Sequence, residues 1–240
     1  MKPHERIILD FDASNLDSAP IYSLRDYVGL IRVSSLMQHL EMARLFRCRT
    51  QNALGSWLGK ILALEKVIHP RKVFLDLRLN LDPGGMSEVV KALSRLNVEI
   101  ISVHTLRLES VASAVASKGA TMVFGDILCE GMDEEACMER FQSSRETQTF
   151  YSAELLLKAN ANGIVCALDE ARFLRGLRRF DPLLVACQIG PEDDLREAVG
   201  IGIDYVVLDG KAYGTIGSLQ ERAKEVRLGL IDKERAYHVP

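Results

Sequence analysis

Acidic and basic residues stand at the ends of short apolar runs along this 240-residue chain, where reacting groups would sit if those runs were strands. Asp10 and Asp12 close the first run, Arg32 lies in the second, and Asp76, Arg78 and Asp82 fall in or just after the third. His104 ends the fourth, Asp126 lies in the fifth, Gln188 ends the seventh, and Asp209, Gly210 and Lys211 follow the eighth. The spacing Asp76-Leu77-Arg78 says most. Residues two apart on a strand share a face, so a carboxylate and a guanidinium point the same way, and the cation keeps the acid ionised. The same pair reads equally as a buried ion pair, which Arg32 is placed to join. His104 is an acid–base candidate or a hydrogen-bonded structural histidine. Gly210 lets the backbone approach a ligand, and Lys211 supplies a cation suited to a phosphate or is a solvated lysine. No spacing of His, Asp or Glu suggests a metal site, and no nucleophile elbow, phosphate loop or catalytic triad pattern occurs.

Positioning these groups requires a scaffold, and the hydrophobic pattern specifies one. Strand candidates are Arg6–Phe11, Val28–Val33, Val73–Leu77, Val98–Val103, Thr121–Leu128, Gly163–Ala167, Leu183–Gln188 and Tyr205–Leu208. Helical spacing intervenes, as in Met86–Leu96, where Met86, Val89, Val90, Leu93 and Leu96 share one face. Apolar strands alternating with amphipathic helices indicate a parallel sheet covered by helices. Eight such units in this length suit an α/β fold of one domain, a single (β/α)8 TIM barrel over residues 1–240. An open doubly wound sheet is disfavoured because no GxGxxG turn follows the first strand. Two stretches exceed a minimal unit. Gln38–Pro70 carries the only tryptophan, Trp57, and Glu139–Asn162 reads as a helix plus an extra helical turn around Tyr151–Ala159. Both are expected on the outside of the barrel or at a subunit interface.

Composition narrows the function classes. Net charge is −3 with both signs interspersed, so no one-signed field favours nucleic acid. Five scattered cysteines without a CxxC pair argue for reduced thiols in a cytoplasmic setting. No apolar run approaches the length of a membrane span, and no leader pattern opens the chain.

The same residues carry a family resemblance. ILDFDASNLDSA resembles the first strand and turn of orotidine 5′-phosphate decarboxylases, and KVFLDLRLNLDPG resembles their D-x-K-x-x-D-I-P segment. VEIISVHT is similar to their fourth strand and ILCEGMDEE to their fifth. NGIVCALDEARFLR looks like the pattern G-V-V-C-S-x-x-E-x-x-x-L-R, and IDYVVLDGKAYG is similar to the final A-D-x-x-V-V-G-R stretch. These matches run in order along nearly the whole chain.

The resemblance implies a cofactor-free mouth that binds a phosphorylated nucleotide or sugar, in a homodimer built around the third-strand loop. In such enzymes an interleaved Lys-Asp-Lys-Asp array works on the carboxylate, and one lysine delivers the proton. Arg32 takes the first lysine's place, Asp76 matches the first aspartate, and Arg78 replaces the proton-donating lysine. The second aspartate falls on Leu81, with Asp82 next door. Asp10 matches the aspartate that contacts the sugar, Ala167 stands where a serine contacts the base, and Lys211 stands for the phosphate-binding arginine. The loop after the seventh strand, which in the family closes over the phosphate, is the short Gln188–Asp194. Arginine keeps its proton throughout the physiological range, whereas a general acid works best with a pKa near the working pH. The resemblance with these replacements therefore implies ligand binding without efficient decarboxylation. The alternative is an active decarboxylase with a rearranged charge array. A sister group of sugar-phosphate barrels places a magnesium-binding glutamate on the second strand, where Arg32 would meet the metal as a cation. A barrel mouth plugged by ion pairs in an interaction protein is the remaining reading.

Overall fold

The computed structural model describes residues 6–11, 28–33, 72–95, 98–127, 132–177, 182–186, 197–198, 200–209, 221 and 224. Eight strands pair in sequence order, all parallel, and the last pairs with the first to close the barrel. They are β1 (Ile7–Phe11), β2 (Leu30–Val33), β3 (Lys72–Leu79), β4 (Val98–His104), β5 (Met122–Asp126), β6 (Gly163–Cys166), β7 (Leu183–Ala186) and β8 (Tyr205–Asp209). Each coincides with an expected run, with ends moved by a few residues. β2 begins at Leu30 because Gly29, ahead of it, gives its N–H to Ile7 O at 2.9 Å and enters as a bend. β3 continues to Leu79, and β5 stops at Asp126.

Period-two alternation divides the apolar residues into two cores. Ile8, Leu30, Phe74, Ile100, Phe124, Val165, Val185, Tyr205 and Val207 fill the inside of the ring. Ile7, Leu9, Ile31, Leu75, Ile101, Val123, Ile164 and Leu208 face outward, against helix residues such as Met86, Val90, Val111, Leu156 and Leu174. Gly163 shows how tight the inner packing is. A methyl group there would lie 2.6 Å from Leu183 O and 2.9 Å from the Phe124 ring.

Five helices are described: α1 (Pro83–Ser94), α2 (Leu108–Ser117), α3 (Glu134–Phe141), α4 (Arg145–Lys158) and α5 (Leu168–Gly176). α1 starts three residues before the periodicity suggested, because Asp82 accepts from Gly85 N–H at 2.9 Å and Pro83 opens the first turn. The stretch expected as one helix plus a turn is two helices. Gln142, with φ 52°, ends α3 in a left-handed residue, and Ser144 then caps α4 by accepting from Thr147 N–H. α4 runs to Lys158, so the expected extra turn is the second half of a fourteen-residue helix. The Gln38–Pro70 stretch lies outside the described residues.

At the rim where the strands begin, Arg6 and Arg175 converge on the segment that leads into β8. Arg6 Nε donates to Asp204 O at 2.8 Å and Nη2 to Ile203 O at 2.5 Å. Arg175 Nη2 donates to the Asp204 carboxylate at 2.6 Å and Nη1 to Pro182 O at 3.2 Å, and Leu184 N–H also reaches that carboxylate at 2.9 Å. One carboxylate and two guanidiniums thereby tie together the starts of β1, β7 and β8 and helix α5.

Candidate functional site

Five strands repeat one local pattern, and it builds the mouth. Ile8, Leu30, Phe74, Ile100 and Phe124 fill the ring. Two residues further along, on the same face, come Asp10, Arg32, Asp76, Ser102 and Asp126. A polar layer thus rests on an apolar plug at the strands' C-terminal ends, where barrels of this type carry their chemistry.

Asp76 is the hub of that layer. It is 3% exposed. Arg32 Nε donates to Asp76 Oδ2 at 2.9 Å, and Arg32 Nη2 reaches the same oxygen. Ser102 Oγ donates to Oδ1 at 2.5 Å, and Arg78 Nε stands 3.8 Å from Oδ1. Burial alone would push this carboxyl up. The charges of Arg32 and then Arg78, with the Ser102 and Arg32 hydrogen bonds, outweigh that effect and hold it below its ordinary value. Arg32 is itself buried and also lies 3.6 Å from Asp10 Oδ2, so it bridges two carboxylates on neighbouring strands.

The expected pairing of Asp76 and Arg78 is present, but not on a regular strand. Leu75 faces Ile101 and Leu79 faces Val103, so Asp76, Leu77 and Arg78 stand opposite Ser102 alone. This bulge passes through Arg78, whose φ of 46° is left-handed. Arg78 N–H donates to Ser102 Oγ at 2.8 Å, which pins the turn to the hydroxyl that holds Asp76. The Arg78 side chain is 38% exposed, and it is the part of the cluster that opens to solvent.

The remaining candidates separate by position. His104 and Asp126 face each other in register on β4 and β5. Asp82 is exposed and spends a carboxylate oxygen on the cap of α1. Leu81, where the resemblance placed a second aspartate, is partly buried against the outer core. Asp209 ends β8. Asp12, Gln188, Gly210 and Lys211 lie outside the described residues, as does the short loop after β7. Ser102 escaped the sequence reading although it was legible there, as the one hydroxyl on the inward row Ile100, Ser102, His104. Among the described residues no three His, Cys, Asp or Glu side chains group as a metal site, and no helix is long and apolar enough to cross a membrane.

No family model matches the chain. An orotidine 5′-phosphate decarboxylase from Neisseria gonorrhoeae is 26% identical over 220 residues, covering 84% of this chain and 88% of that protein. One from Wolbachia sp. subsp. Brugia malayi is 28% identical over 148 residues, 56% of this chain and 66% of that protein, so this match spans just under two thirds of its relative. The crystal structure of the orotidine 5′-phosphate decarboxylase from Lactobacillus acidophilus superposes with a TM-score of 0.71 over 93% of this chain and 98% of its own, at 17% identity, a likeness of fold. Related in sequence along most of its length and built on the same closed ring, this protein is similar to the orotidine 5′-phosphate decarboxylases in both sequence and fold.

Proposed function

We propose that the mouth of this barrel binds a phosphorylated nucleotide or sugar and does not efficiently decarboxylate it. The observation that carries this reading is the Arg32–Asp76–Arg78 cluster. Asp76 is enclosed by two guanidiniums and a serine hydroxyl, and the groups nearest its carboxylate keep their protons throughout the physiological range. Such an array holds charge in place. It presents no lysine to hand a proton to a carbanion, and arginine in that position is not a conservative exchange. Asp10, half-buried beside Arg32, is suited to accept from sugar hydroxyls. Lys211 and Gly210 are the groups we assign to the phosphate, and a second copy of the chain is the expected partner.

The test is titration calorimetry of the purified full chain with uridine 5′-monophosphate, orotidine 5′-phosphate and ribose 5-phosphate, beside ultraviolet-monitored turnover of orotidine 5′-phosphate. Saturable binding that weakens in Lys211→Ala, without turnover, is expected. Absence of binding to all three counts against the reading. A second reading, an active decarboxylase with a rearranged charge array, is favoured by the Neisseria match over 84% of the chain. Turnover that Asp76→Ala abolishes would establish it in place of the first.

A further inference from the structure

Beside the arginine-bound aspartate lies a second carboxylate, which that cluster does not use. Asp126, at the end of β5, is 1% exposed, and its Oδ1 has no hydrogen-bond partner. Its Oδ2 lies 2.9 Å from His104 Nδ1, directly across the β4–β5 ladder. That nitrogen is buried too and is not lined up for a hydrogen bond. The His104 side chain is nevertheless 30% exposed, so the accessible part of the ring lies away from Nδ1. A buried carboxylate standing behind one nitrogen of a ring whose other edge is open is the arrangement that fixes a histidine's tautomer and leaves its second nitrogen to work. Two buried polar atoms without partners are costly. In ligand-free sites such bonds are often poorly aligned and tighten when the ligand arrives.

We propose that His104, backed by Asp126, is the proton-carrying group of this mouth. The inference rests on the reading that the mouth holds a phosphorylated anion. Binding of that anion draws a proton onto Nε2, while Nδ1–H turns onto the Asp126 carboxylate. In the acid direction the Nε2–H bond breaks, its proton forms an O–H bond with a phosphate oxygen of the ligand, and the ring keeps the electron pair. The ring is left neutral, and solvent recharges it. Asp126 on β5 is the charged group against His104, and the elements next to β4 carry Asp76 and Arg78 on β3 and Arg107 and Glu109 at the start of α2, with Arg32 bound to Asp76. None of these arginines changes charge in the working range, so the histidine is the group on these strands suited to carry the proton.

Nitrogen-15 NMR of the histidine rings in the full chain tests the couple without any ligand, with the His104 signal identified from its loss in His104→Asn. Neutral His104 is expected with its proton on Nδ1 and Nε2 bare, moving toward the Nε2–H form in Asp126→Asn. Nε2–H in the wild type overturns the proposal, and the wild type alone decides if Asp126→Asn does not fold. Calorimetry with uridine 5′-monophosphate at neutral pH, in two buffers of different ionisation heat, then counts protons. Uptake of a measurable fraction of a proton in the wild type, and none in His104→Asn, supports the assignment. Binding without uptake in the wild type overturns it. Absence of any binding counts against the ligand reading above, and the tautomer still decides the couple.

Discussion

Replacing Asp76 by asparagine keeps the shape of the side chain and removes its charge, which leaves Arg32 as a cation 6% exposed with its main partner neutralised. Breaking a buried ion pair from one side costs roughly 3–5 kcal/mol, because the other charge stays buried. Asp10, 3.6 Å from Arg32, compensates part of that loss, so about 3 kcal/mol is expected, at the low end of the range. With a urea dependence of about 3 kcal/mol per molar, the upper end of the usual scale, the unfolding midpoint should fall by ~1 M at an unchanged slope. The companion variant removes both charges. Arg32→Met with Asp76→Leu should recover most of the loss, because well-packed apolar replacements of a buried pair are often neutral or stabilising. With Arg32→Met alone and Asp76→Leu alone, the double variant closes a cycle whose coupling energy measures the pair. If Asp76→Asn loses less than about 1 kcal/mol at constant slope, the carboxylate is not the counter-charge of a buried arginine, and the electrostatic account of the mouth fails.

The acid limb of the stability profile checks the same carboxylate. Because Asp76 is held below its ordinary value, its contribution is complete above the unfolded-chain value of about 3.9 and is lost as pH falls through the lower folded value. Urea midpoints measured down that range should show this loss in the wild type and not in Asp76→Asn. Arg78→Gly relieves a left-handed non-glycine residue, a gain of ~1–2 kcal/mol that glycine's extra freedom in the unfolded chain largely offsets. Its stability should therefore stay within about 1 kcal/mol of wild type, while affinity for uridine 5′-monophosphate falls tenfold or more. Ser102→Ala deletes both the bond to Asp76 and the acceptor of Arg78 N–H, and should cost about 2 kcal/mol in chemical denaturation. Gly163→Ala drives a methyl group into Leu183 O and the Phe124 ring and should cost roughly 1–3 kcal/mol by the same assay.

The barrel was legible because closure and alternation leave a direct imprint. Each strand must be apolar on both faces, and the runs from Ile7 to Leu208 are. The polar layer was legible for the same reason, since Asp10, Arg32, Asp76 and Asp126 each stand two residues after a ring-filling side chain. What periodicity does not encode is backbone departure from it. Nothing in KVFLDLRL announces that Arg78 turns left-handed and adds residues opposite Ser102, because an arginine carries no local preference for that conformation. Asp82 read as chemistry because it is an acid next to a motif position. Followed by Pro83 and two glycines it is also a helix cap, a local signal that competes with the catalytic one. The break at Gln142 was hidden likewise, because glutamine seldom ends a helix in the left-handed region and the apolar spacing resumes beyond it.

The clasp of Arg6, Arg175 and Asp204 lies at the opposite end of the barrel from the arginine-bound aspartate. A ring whose closing seam is fastened at one rim can exchange residues at the other without coming undone. This bears on the chain's tolerance to substitution and on its opening motions. Charged residues at the mouth can be exchanged one at a time, each intermediate still a closed barrel, because the seam does not depend on them. Amides beside the clasp should also be the last to exchange with solvent, while the bulge at Arg78 breathes first, so the molecule is most plastic at its mouth.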